Sequence, residues 1–269
     1  MRFIREGRFG KAKQFKTGAV VGTYPKPLLV FSFDEGGLYV FPKKGTLPPK
    51  DGMVIDTFED DIVSIKPTEF EEYTKKPTSE LPKVLAVDFY SFRMGTLNDL
   101  YTPAGNTAGL KSFYGCLNLI TKVCPWKTVV LDPITGLSEV IHAHVAVENP
   151  GKLKDMRKWT PDVGYQIQKT IGQLALVQAH TVTIMHENEQ TSEEGNVTGV
   201  VPMIPSKFGR ERVAGLLHQV FYAMIENGKP VVKTSNYGYV RGLGARWPAN
   251  LPATCGADFK SIYGKEFGL

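Results

Sequence analysis

Little in this chain points to secretion, to a membrane or to a bound metal. Its 269 residues include only three cysteines, Cys116, Cys124 and Cys255. They are too few and too scattered for a disulfide framework or a metal knuckle. Cys116 and Cys124 fall in or beside an apolar helical pattern, which suits buried thiols in a reducing compartment. No apolar run approaches the ~20 residues that span a bilayer. The amino terminus, Met1-Arg2-Phe3-Ile4-Arg5-Glu6, has basic residues with no apolar signal core behind them. Internal repeats and low-complexity segments are also missing. These absences lead to the expectation of a soluble, cytoplasmic protein.

What is present fits one large α/β domain. Apolar residues make up 42% and charged residues 22%, enough for a sizeable core under an ordinary surface. The formal net charge of +5 permits a nucleic-acid partner without requiring one.

Short apolar runs alternate with helical patterns. Pro27 to Phe33, Val84 to Tyr90, Thr128 to Asp132 and Thr181 to Met185 read as buried strands, with shorter ones at 38–41, 53–56 and 62–65. The spacing predicts helices over 107–123 and from Val163 to Val177, with a further one opening at Ser206. Strands following helices through short joins imply βαβ units and a parallel sheet. Val220 to Glu226, Asn227-Gly228 and Pro230 to Thr234 predict a β-hairpin. A basic segment over the first fifteen residues, a polar connection after Asp132 and an acidic loop from Glu187 to Asn196 complete this outline.

The chemistry centres on Gly10-Lys11-Ala12-Lys13-Gln14-Phe15-Lys16-Thr17-Gly18. Its spacing is that of the phosphate loop G-x-x-x-x-G-K-[ST], with Phe15 standing where the second glycine belongs. Such a loop works because backbone N–H groups and a helix N-terminus point at the oxyanions. Its lysine reaches the β/γ-phosphates and its hydroxyl takes a place on Mg²⁺. The same stretch also reads as a plain basic loop, because Phe15 lacks glycine's freedom at positive φ.

Asp132, at the carboxyl end of a buried strand, is placed to be the second half of a Mg²⁺ site, or to cap the following turn. Asp34-Glu35 end another strand, and Glu35 would orient or deprotonate an attacking water. His186 ends a third, either as a polar tip near a γ-phosphate or as a structural histidine.

The order Lys16-Thr17, Tyr24-Pro25-Lys26-Pro27-Leu28, Phe33-Asp34-Glu35-Gly36-Gly37, Val129-Val130-Leu131-Asp132, then Thr183-Ile184-Met185-His186-Glu187 resembles phage-encoded P-loop ATPases. These are the RecA-like, AAA-type proteins found with phage recombination genes, and the resemblance runs over roughly residues 8 to 250. It implies a RecA-like α/β fold: a mainly parallel central sheet flanked by helices, with the C-terminal hairpin, over 1–250, and a tail over 251–269. Lys16 and Thr17 would hold phosphate and Mg²⁺ in a degenerate loop formed with Gly10, Lys11, Phe15 and Gly18. Glu35 would be the catalytic carboxylate, Asp132 the second acidic motif and His186 the sensor. Arg241 or Arg246 would supply a cation to a neighbour's site, or be surface arginines.

Single-stranded DNA would meet Lys152, Lys154, Arg157, Lys158 and Trp159, and Lys207, Phe208, Arg210 and Arg212, where cations track phosphates and an aromatic stacks on a base. Either segment also reads as a solvated face. ATP with Mg²⁺, a homo-oligomer, a single-strand-binding or annealing protein as partner, and the cytoplasm of a phage host complete the implied setting. The alternatives are a pseudo-ATPase of the same fold, serving as a DNA-binding or assembly module, and a small-molecule phosphotransferase.

Overall fold

Among the described residues, seven parallel strands form the centre of one sheet, and their order decides which loops meet. The computed structural model describes residues 3–12, 15–34, 56–90, 103–148, 156–204, 207–248 and 250–269. The strands are β1 (Arg5–Gly10), β2 (Leu28–Ser32), β3 (Ile62–Ile65), β4 (Val84–Asp88), β5 (Thr128–Asp132), β6 (His180–Thr191), β7 (Val197–Pro202), β8 (Gln219–Glu226), β9 (Lys229–Lys233), β10 (Gly244–Ala245) and β11 (Thr254–Gly256). Across the sheet they run β11-β9-β8-β1-β6-β5-β2-β4-β3, with β7 added to β6 and β10 to β8. From β8 to β3 every neighbouring pair is parallel. The other four strands pair antiparallel. This is the mainly parallel sheet flanked by helices that the resemblance implies, and β8 and β9 form the expected hairpin around Asn227-Gly228.

The helices are α1 (Lys16–Thr23), α2 (Phe70–Thr74), α3 (Pro103–Lys122), α4 (Ile134–Glu148), α5 (Met156–Leu174), α6 (Lys207–Leu216) and α7 (Phe259–Phe267). Residues of α2 to α6 pack with Leu29, Phe31, Val129 and Leu131 on one face of the sheet. Residues of α1 and α7 pack with Val30, Val130 and Ile184 on the other. Both faces are therefore covered, which is why β2, β4 and β5 read as unbroken apolar runs.

β1 breaks that rule, and the basic segment expected at the amino terminus is corrected by it. Arg5, Glu6 and Arg8 are buried inside a central strand. Arg8 donates to the Glu6 carboxylate, to the Tyr24 hydroxyl at 2.6 Å and to the Ala257 carbonyl at 2.7 Å. Tyr24 and Tyr263 also donate to Glu6. Each charge is paired and hydrogen-bonded, the condition under which ions tolerate a dry interior. Arg5 donates instead to the carbonyls of Ala175, Val177 and Ala179, tying the turn before β6 to β1.

Two further expectations change. The polar connection after Asp132 contains α4, whose Ile134, Leu137, Val140, Ile141 and Val145 are buried together with Thr135 and Ser138. A helix buried on most sides shows no polar face in its sequence. The acidic loop from Glu187 is instead the outer half of β6, turning at 192–196 into β7. That half is largely exposed, so its acids remain hydrated. The strand expected at 38–41 lies outside the described residues, as do residues 53–55 of the one expected at 53–56. Segment 251–269 adds β11 to the sheet edge and puts Phe259, Ile262 and Tyr263 of α7 into the core.

Candidate phosphate-binding site

β1 ends at Gly10, where only glycine fits. A Cβ there would lie 2.3 Å from the backbone oxygen of Ala223 on β8. The chain then turns into α1 through Phe15, which stands at the N-cap in the left-handed region, φ 56° and ψ 27°. Phe15 supplies no side-chain cap, and the first turn of α1 carries no acid. The helix therefore brings no side-chain cap and no acid of its own to its first-turn amides, and a free helix N-terminus is the arrangement that binds anions.

Lys16 and Thr17 point in two directions. The Lys16 ammonium donates to the carbonyls of Gly10, at 2.8 Å, and of Lys11. The Thr17 hydroxyl donates to Oδ2 of Asp132 at 2.8 Å, across 115 positions of sequence. Topology makes that contact possible, since β6 alone separates β1 from β5.

The charges fit a site that waits for a partner. Burial pushes the Asp132 carboxyl up to about 6; the Thr17 hydrogen bond and Lys16 oppose the rise, and Asp34 adds to it. Burial lowers Lys16 to about 8 against the pull of Asp132, Glu187 and Asp34. Three carboxylates thus act on one ammonium, an excess of negative charge that a divalent cation would offset. Thr17 and Asp132 are the hard oxygen donors Mg²⁺ takes, and Mg²⁺ normally completes its shell with substrate phosphates and waters. Among the described residues no three His, Cys, Asp or Glu cluster as a self-sufficient metal cage. The donor set fits an ion that arrives with a phosphate.

Other expected residues scatter. Glu35, Lys152 and Lys154 lie outside the described residues. His186 is in register with Gly10, and its N–H donates to Thr135 Oγ1 at 3.3 Å. Lys11 is exposed, its ammonium 3.7 Å from Glu189 and 4.0 Å from Glu187. Arg241 is exposed beside β7, its N–H donating to the Val200 carbonyl at 2.9 Å. Arg246 follows β10 near Gln219, the residue opposite Glu6 at the amino-terminal end of β1, while the loop lies at the carboxyl end. The Arg241 guanidinium donates to the carbonyls of Gly238 and Val240, and that of Arg246 to the carbonyl of Gly215.

Arg157, Lys158 and Trp159 lie in the first turn of α5, not in a loop, and Lys207, Phe208 and Arg210 in the first turn of α6. Their side chains lie outside the described part. Arg212 is exposed on α6.

Three residues at the site carry weak sequence signals or none. Asp34 is one of two strand-end acids in the sequence and acts electrostatically on Lys16 and Asp132. Glu187 accepts from the Tyr222 hydroxyl at 2.9 Å and acts electrostatically on Lys16. Its place directly after His186 was a usable signal. Thr135, buried in α4, had none.

No protein-family model matches the sequence, and no curated protein matches it. Among solved structures, the KaiC-like protein PH0186 from the hyperthermophilic archaeon Pyrococcus horikoshii OT3 aligns over 93% of this chain and 84% of that one, with 13% identity and a TM-score of 0.42. A likeness at that level carries no conclusion about either fold or function.

Proposed function

We propose that the chain binds ATP with Mg²⁺ at the Gly10–Gly18 loop and hydrolyses it. The observation that carries this reading is the hydrogen bond from Thr17 to Asp132, which joins a phosphate-loop hydroxyl to a strand-end carboxylate. Lys16 leaves the carbonyls of Gly10 and Lys11 and turns to the β/γ-phosphates, while the first-turn amides of α1 hold the same oxygens. Mg²⁺, held by Thr17 and Asp132, would neutralise charge developing on the transferred phosphoryl group. Glu35, which follows Asp34 in sequence, would orient the attacking water, and His186 would take the sensor position.

The test is thermal stabilisation by ATP with Mg²⁺. It should be present in the wild type, lost in Lys16→Ala and weak when Mg²⁺ is chelated. No shift at saturating ATP would sink the nucleotide-binding reading. If binding persists without phosphate release, the chain is a pseudo-ATPase, a reading favoured by the bulky Phe15 in a left-handed turn.

The wider role we assign is work on single-stranded DNA in phage recombination, annealing or replication, as a homo-oligomer in the host cytoplasm. A neighbour's Arg241 or Arg246 would complete the site, and an annealing or single-strand-binding protein would assist. The support is the net charge of +5 and the basic segments at 152–159 and 207–212. Anisotropy of a labelled oligonucleotide should show binding that weakens steeply with salt, and salt-insensitive or absent binding would remove this role.

A further inference from the structure

The phosphate loop departs from its pattern at Phe15, yet its backbone adopts there the left-handed turn that a glycine would make. A bulky residue in that region is strained, and the strain persists only where the surroundings hold it. The surroundings are visible three residues on. A Cβ added to Gly18 would lie 2.3 Å from Cε2 of Phe15 and 2.6 Å from Cδ2 and Cζ. The Phe15 ring therefore rests directly on the bare Cα of Gly18, and it packs at the edge of the apolar cluster formed by Ala19, Val20 and Val21 of the same helix. The Phe15 carbonyl also accepts the N–H of Ala19 at 3.0 Å.

We propose that Phe15 and Gly18 are an interlocking pair: the ring seated on Gly18 holds the loop in its phosphate-binding turn, replacing a glycine at position 15 with a glycine at position 18. Freedom of the backbone is exchanged for a side-chain clamp. Phe15 is thus a positioning residue, and Gly18 is the space it requires. The inference rests on the phosphate-loop reading for its ligand but not for its geometry. A side chain at position 18 would displace the ring, leave the left-handed turn unsupported and misalign the amides of Lys16 and Thr17. A glycine at position 15 would make the turn without the clamp.

The experiment uses four full-length proteins: wild type, Phe15→Gly, Gly18→Ala and the double variant. Calorimetric titration with ATP and Mg²⁺ is paired with thermal melts in the absence of nucleotide. Gly18→Ala alone should weaken ATP binding by about tenfold or more and lower the melting temperature, as expected for residues in direct contact. Phe15→Gly makes the turn without the clamp, and the double variant should recover most of what Gly18→Ala loses. A Gly18→Ala protein indistinguishable from wild type, or a double variant no better than Gly18→Ala, would overturn the proposal. If the wild type takes no ATP, the phosphate-loop reading falls and the melts still judge the pair: non-additive shifts support the interlock, additive shifts refute it.

Discussion

The Thr17 hydroxyl and the Asp132 carboxylate meet at 2.8 Å, joining the first turn of α1 to the end of β5 across the intervening β6. Asp132 is 4% exposed, so the contact holds a carboxylate where water does not reach it freely. Such a group costs stability in the free protein and becomes useful when a cation arrives.

Asp132→Asn should separate stability from function. The amide oxygen can still accept from Thr17, while the buried charge is removed. With the carboxyl raised from 3.8 to about 6, neutralisation should stabilise the nucleotide-free protein at pH 7 by about 2–3 kcal/mol. Magnesium-dependent ATP binding should fall at the same time. Urea unfolding and titration with ATP measure the two effects, and a destabilised Asn variant that still binds ATP would contradict both.

The pH dependence follows from the same two groups. The folded state holds the Asp132 proton more tightly than the unfolded chain, so this contribution to stability is full below about pH 4 and declines as pH rises through about 6. Lys16 is lowered from 10.5 to about 8, so its contribution improves as pH rises from about 8 towards 10.5. The proposed binding of ATP would need the carboxylate and the ammonium charged together. Affinity for a fluorescent ATP analogue should therefore fall below about pH 6 and above about pH 8, and Lys16→Arg should abolish the alkaline limb. A flat profile across pH 5 to 9 would remove both groups from the binding event.

The buried charges of β1 make a different demand. Glu6 and Arg8 are both fully buried and satisfy each other with Tyr24 and Tyr263. Arg8→Met leaves Glu6 without its cation and should destabilise by about 3–5 kcal/mol. Tyr263→Phe removes one donor to a charged group and should cost about 1–3 kcal/mol. Equilibrium denaturation ranks them, and equal small effects would mean that the network is not a structural keystone.

Gly10→Ala tests the close approach of β8. The added carbon meets a backbone oxygen, which cannot rotate away as a side chain would, so the strand end itself must shift. A loss of about 2 kcal/mol or more is expected, together with weaker ATP binding. Wild-type stability and affinity in that variant would place β8 further from the loop.

The sequence by itself determined whatever depended on neighbours along the chain. Continuous apolar runs marked β2, β4 and β5 because strands covered on both faces have no polar side to show. Asn227-Gly228 announced the β8–β9 turn, and the Gly10-to-Thr17 spacing, with Asp132 at a strand end, pointed to the two residues that meet, Thr17 and Asp132. Tertiary structure alone decided what depended on distant partners. Arg5 and Arg8 read as part of a basic segment because their partners, Ala179, Tyr24 and Ala257, are not their neighbours in sequence. Helix α4 hid because burial on most sides erased its periodicity, and the convergence on Lys16 joins Asp34 just after β2, Asp132 at the end of β5 and Glu187 within β6. At Phe15 both kinds of information meet: the sequence showed a side chain where glycine was due, and the fold seats its ring on Gly18 so that the turn is still made.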